Sequence, residues 1–169
     1  MRLMKVASYG AVALAGVFFG VVASGQMKAD RPFVPGEDNV PPTTDVRIFK
    51  SADIQSSIEG EKLGRLLEGK DLFSLNLLHR TGEEVTIHGT VVDLYFVQKG
   101  KAVLEHGGTA VGAKPSGGRA GDMRAASING STKTVVGAGD IVFIPPGVPH
   151  RFVAGESDIV YFNVHFPGK

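Results

Sequence analysis

Gly139 to His150 reads GDIVFIPPGVPH, and this stretch decides the fold. Ile141, Val142, Phe143 and Ile144 form an apolar run of β-branched and aromatic residues, which predicts a covered strand. Gly139-Asp140 is a turn signal before it. Pro145, Pro146, Gly147 and Pro149 end the strand and fix the path of the chain. His150 follows at once, and Arg151, Phe152 and Val153 read as the next strand. A histidine held between two strands by a stiff turn is placed to be a ligand or a proton carrier; the competing reading is a hairpin in which it only caps a strand.

Outward from this point the chain is strand-rich. Apolar runs at 63–67 and 72–79 are split by a turn at 68–71, and a second turn at 81–84 leads to strands at 85–88 and 91–98. Lys99-Gly100-Lys101 reads as a tight turn, with a new strand from Ala102. Residues 105–134, rich in Gly, Ser and Ala, read as a long loop with a short ordered piece around 123–128. Residues 134–136 lead into the opening stretch, and 158–166, DIVYFNVHF, form the last strand. Upstream, residues 46–49 read as a short strand. Ser51 reads as the N-cap of a short helix to about Ile58, with Ile54 and Ile58 on one face and Gly60 as its stop. Short strands with regular turns argue an antiparallel sandwich or barrel.

The spacing Gly139, five residues, Pro145-x-Gly147, two residues, His150 resembles the second motif of the cupin superfamily, with Ala154 where that motif usually has Asn. The first cupin motif, His-x-His, three or four residues, Glu, six residues, Gly, resembles residues 86–100. Thr86 stands at the first His, His88 at the second, Asp93 at the Glu and Gly100 at the Gly. The resemblance covers about residues 63–166. It implies an all-β fold, a small antiparallel jelly-roll-like β-barrel with a short N-terminal helix. It also implies a divalent metal ion (Fe, Mn, Zn or Ni) inside, and often a homodimer. Carried over, the metal ligands are His88, Asp93 and His150, with one ligand lost at Thr86. Two histidines and one carboxylate form the facial arrangement of non-haem Fe(II) oxygenases. Asp93 has a second reading, as the residue that orients His88. A barrel without metal, its polar residues in a ligand pocket, is the plain alternative.

Strand alternation places Thr86 with His88 on one face, and Asp93 with Tyr95 on another that fits the same interior. On the last strand Val160, Phe162, Val164 and Phe166 are the better core face. That leaves Tyr161, Asn163 and His165 as cavity groups or, the preferred reading, as a solvent-facing row. Thr86, Tyr95, Tyr161, Asn163 and His165 are thus the candidate cavity lining. His79 and His106 read as surface residues. Lys114, Arg119, Arg124 and Lys133, against Glu105 and Asp122, read as a solvated loop rather than a basic lid for an anionic substrate.

Residues 1–25 carry the marks of a secretory signal. Arg2 and Lys5 precede an uncharged apolar run at 6–22, and Ala23-Ser24-Gly25 offers a cleavage site before Gln26. The expected location is periplasmic or secreted, without membrane attachment once the signal is cleaved; the alternative is an anchor formed by residues 6–22. Residues 26–46, with Pro32, Pro35, Pro41 and Pro42, form a linker or arm, and 47–169 form the barrel domain. The chain of 169 residues has no Cys, which excludes disulfides and thiolate metal sites. Its net charge of +1 becomes −1 without Arg2 and Lys5, which gives no nucleic-acid surface. The functional expectation is a metal-dependent enzyme on a small organic molecule, dioxygenase-like ahead of isomerase or lyase. Its rivals are a non-catalytic small-molecule-binding cupin and an anchored interaction module.

Overall fold

The protein is described by a computed structural model covering residues 46–69, 73–79, 81–82 and 84–168. Residues 1–25 and nearly all of the 26–46 tract lie outside the described residues, as does the interior of the 68–71 turn. Among the described residues no helix is long and apolar enough to cross a membrane.

One helix, α1 (Ser51–Glu59), opens the described chain. Its N-cap is Lys50, without a side-chain capping bond, so Ser51 is the first helical residue and not the cap. Gly60 closes it. Residues 46–49 are not a strand: Val46 is 84% exposed, and the four residues pair with no strand among the described residues.

Twelve strands follow: β1 (Gly64–Glu68), β2 (Ser74–His79), β3 (Val85–Ile87), β4 (Val91–His106), β5 (Thr109–Val111), β6 (Lys114–Pro115), β7 (Met123–Ala125), β8 (Ser127–Asn129), β9 (Thr132–Gly137), β10 (Ile141–Ile144), β11 (His150–Phe152) and β12 (Asp158–Pro167). Ten of them form one antiparallel sheet ordered β1-β2-β12-β4-β11-β3-β7-β6, with β9 and β10 also paired to β4, while β5 and β8 pair separately. Residues from β1, β2, β3, β4, β7, β11 and β12 line one cavity, so the sheet is rolled on itself, as in a jelly roll. The expected all-β architecture with one short helix is what the described residues adopt.

Strand β4 organises this roll. The expected turn at Lys99-Gly100-Lys101 is absent, and the strand runs through it for 16 residues. Gly100 bends the strand without ending it. Its φ is +77°, and a Cβ there would lie 1.8 Å from the carbonyl oxygen of Asp158. Along the other edge, β9 pairs with Lys101–His106 and β10 with Asp93–Phe96, a nearly continuous ribbon broken only at residues 138–140.

Packing follows strand alternation. Tyr95, Val97, Ala102, Leu104, Ile144, Phe152, Ile159 and Tyr161 share the interior cluster. Ile54 and Ile58 of α1 pack with Leu66, Leu77 and Val160 on the outer side. Thus β12 is covered on both faces, by the interior and by the helix layer. The opening stretch is not: Ile141 is 63% and Phe143 59% exposed, because among the described residues no layer covers the outer face of β10. Residues 105–134 are likewise no open loop. They fold into β5 to β8, whose Ile128 and Ala125 pack on Val85 and Ile87.

Candidate metal centre

The site grows from Asp93, which is 1% exposed on the inward face of β4. Three histidines from three other segments surround its carboxylate. His165 Nε2, on β12, is 2.5 Å from Oδ1. His150 Nε2, at the start of β11, is 3.4 Å from Oδ2, and His88 Nε2, just after β3, is 3.6 Å from the same oxygen. Ligand atoms of His88, Asp93 and His165 all lie within 4.8 Å of one another. The structure therefore brings together His88, Asp93 and His150, and adds His165. Parity left the last strand open to either orientation, and the solvent-facing row preferred above is corrected: Tyr161 is 4% and Asn163 3% exposed, and both line the cavity with His165.

The ring nitrogens turned away from Asp93 are held by neighbours. Nδ1 of His150 lies 3.0 Å from the carbonyl oxygen of Val148, so it donates there and leaves Nε2 a lone pair. The prolines of the 145–149 turn set that carbonyl. Nδ1 of His88 is 3.1 Å from Asp122 Oδ2, at ion-pair distance but outside hydrogen-bond alignment. Asp122 is brought there by a close backbone approach, since a Cβ on Gly89 would lie 2.7 Å from the backbone of Gly121. Gly89 N–H donates to Asp122 Oδ1 at 3.3 Å.

Oδ1 of Asp93 is already occupied. It accepts from His165 and, at 3.1 Å, from Asn163 Nδ2. Asn76 Nδ2 in turn lies 3.4 Å from Asn163 Oδ1. Burial pushes the Asp93 carboxyl upward, but the hydrogen bond from His165 and the attraction of His150, His165 and His88 outweigh it, and the pKa falls to about 2. Burial lowers the pKa of His150, against the attraction of Asp93, and so favours its neutral ring. Beneath His150, Tyr95 directs its hydroxyl to Nε2 at 3.3 Å and packs edge-on against Tyr161 and Phe152.

These donors fit a divalent ion. With Nδ1 protonated, the Nε2 lone pairs of His88 and His150 and the free Oδ2 of Asp93 converge on one point. Acceptors 3.4–3.6 Å apart repel unless a cation lies between them. His165 joins as a fourth donor only after a change of partner. Arg119 Nη1 donates to its Nδ1 at 3.2 Å, which keeps the proton on Nε2.

The cavity above this cluster measures about 860 Å³. Its wall includes Thr86, whose strand pairs it directly with His150. Arg119 and Arg124 also line it, so half of the basic set read as solvated faces inward; Lys114 and Lys133 are exposed. His79 is a surface residue, paired with Asp158 at 2.8 Å, and His106 bonds Thr134 at 3.2 Å, away from the cavity wall. Sequence reading assigned Asp122, Arg119 and Arg124 to a solvated loop because the segment has no strand period. The one available signal was the Gly-Asp pair at 121–122, a turn that carries a carboxylate.

The AraC-like ligand binding domain, a cupin-like family, matches residues 125–169. That match takes in the last part of the chain, from Ala125 onward. Among solved structures, a Bacillus halodurans protein shares 15% identity over 77% of this chain and 88% of its own, with a TM-score of 0.47. A predicted oxalate decarboxylase of Thermotoga maritima shares 15% over 68% and 74%, TM-score 0.35. The Drosophila melanogaster CENP-C cupin domain shares 15% over 80% and 88%, TM-score 0.36. No curated protein matches the chain. The His that Thr86 replaces in the motif it resembles has a counterpart on a different strand: with His165, three histidines and one carboxylate lie together.

Proposed function

We propose that this protein is a metal-dependent cupin enzyme acting on a small organic molecule in the cavity. One observation carries the reading: buried His150 and partly buried His88, each with a neighbour at Nδ1, aim Nε2 at the same free oxygen of a carboxylate held in its ionised form. His88, His150 and Asp93 would hold the ion, with His165 as fourth donor. A divalent ion there supplies Lewis acidity, and Fe or Mn adds oxygen activation. The preference for oxygenase chemistry rested on two histidines and one carboxylate. With His165 at the centre that set is no longer distinctive, and Lewis-acid isomerase or lyase chemistry stands level with it. Tyr95, within reach of His150 Nε2, is the side chain placed to hand a proton to a bound molecule.

The test is elemental analysis of residues 26–169, purified without a His tag or chelator, beside His88→Ala and His150→Ala. About one equivalent of metal in the wild type, lost in both folded variants, is the expected result. No metal after loading and desalting would overturn the reading.

The match to a ligand-binding family favours a second reading, a non-catalytic binding cupin. Ligand-induced thermal stabilisation without turnover in the metal-loaded protein would select it. We further propose export, on the strength of residues 1–25, and a homodimer formed through the uncovered outer face of β10.

A further inference from the structure

The cavity wall carries four arginines, and three have acidic or imidazole partners. Arg65 Nη1 pairs with Glu68 at 2.8 Å, Arg151 Nε with Glu105 at 2.7 Å, and Arg119 donates to His165. Arg124 is different. Its Nη1 is buried and has no hydrogen-bond partner. A buried guanidinium N–H without an acceptor is costly, because nothing replaces the water it lost. Such an orphan in a cavity wall points to an acceptor that a ligand brings.

The sheet register says where that ligand lies. Arg124 on β7 pairs with Thr86 on β3, and Thr86 pairs with His150 on β11. Directly paired residues project to the same face, so the three form one inward row. Adjacent strands are about 4.8 Å apart, which puts the backbones of Arg124 and His150 roughly 10 Å apart. The long arginine side chain spans part of that distance, and a small molecule spans the rest. Thr86 sits midway and offers a hydroxyl.

We propose that the cavity takes a small carboxylate-bearing molecule, its carboxylate on Arg124 and its other end at the histidine cluster. The class follows from charge. Four arginines and four carboxylates balance in number across the wall, but Arg124 Nη1 has no acceptor, so a ligand with one negative group suits it. A phosphate dianion would meet Asp93, Asp122 and Glu84 as well. A planar carboxylate also fits the arginine fork in two-point contact. The proposal rests on the metal-centre reading only for the ligand's second end.

The experiment measures binding of straight-chain diacids from malonate to adipate, each beside its diamide, by calorimetry and thermal shift. Inorganic phosphate is the third probe. Wild-type protein, Arg124→Gln and Arg124→Lys are compared with and without metal, and metal content is measured throughout. The expected result is that at least one diacid binds about tenfold or more tighter than its diamide and than phosphate. Arg124→Gln abolishes that preference with metal content unchanged, and Arg124→Lys keeps part of it. If the wild type takes no metal yet retains an Arg124-dependent diacid preference, the anion site stands and the metal reading falls. Two results would overturn the proposal: no diacid preferred over its diamide in the wild type, or a preference that survives in Arg124→Gln.

Discussion

Asp122 shows how much can depend on one carboxylate outside the proposed ligand set. It faces His88 Nδ1 at 3.1 Å and is itself held by the Gly89 N–H. Groups of this kind fix ring orientation and raise basicity, and their loss typically costs 10–100-fold in metal affinity. Asp122→Asn is therefore expected to fold normally and to release metal to a chelator at roughly 10–100-fold lower chelator concentration; equal retention in competition titrations would count against the role.

Acidity supplies a second test at this scale. The pKa of Asp93 is lower in the fold than its ordinary 3.8, so its stabilisation is full above that value and is lost as pH falls toward about 2. The loss is on the order of 2 kcal/mol. His150 is also depressed from its ordinary 6.5, so it is neutral in both states above that pH and opposes the fold as pH falls below it. Metal-free protein should show a falling Tm in thermal melts from pH 7 to pH 3, and a flat profile would contradict both.

Single elements explain what could and could not be read from sequence. The Pro-rich turn before His150 was legible because prolines and glycine leave one path. Strand β4 was misread because Lys99-Gly100-Lys101 has turn composition, whereas Gly100 serves a bend beneath Asp158. Strand β12 could not be oriented because both of its faces are buried, and alternation distinguishes faces only when one meets water. Within residues 105–134, Asp122 and Arg124 were read as solvated loop because two- and three-residue strands are too short to show a period. Gly100→Ala should cost more than about 2 kcal/mol in denaturant melts, from positive φ and backbone overlap together. Gly139→Ala has a comparable φ of +93° but open space around it, and should cost only about 1–2 kcal/mol. Equal costs would show that overlap at Gly100 is relieved by movement of β12.

At the scale of the molecule, the roll has a covered and an uncovered flank. Helix α1 seals the outer side of β1, β2 and β12, whereas Val135, Ile141 and Phe143 on the β9–β10 ribbon stand open. Apolar side chains in such a row fit the homodimer interface proposed above. Phe143→Lys should leave the monomer fold intact and shift a dimer to monomer in sedimentation; a wild type that is already monomeric at micromolar concentration would exclude the interface.

The place of β12 at the centre of the sheet also has a meaning in time. Asn163 and His165 reach Asp93 across about 70 residues of chain, and β12 is inserted between β2 and β4. During synthesis His88, Asp93 and even His150 leave the ribosome before β12 does. The centre therefore cannot close until the last strand has docked, which makes this long-range contact a late event in folding. Bound metal would then act as a seal of completion, found on finished chains and absent from those stalled before residue 158.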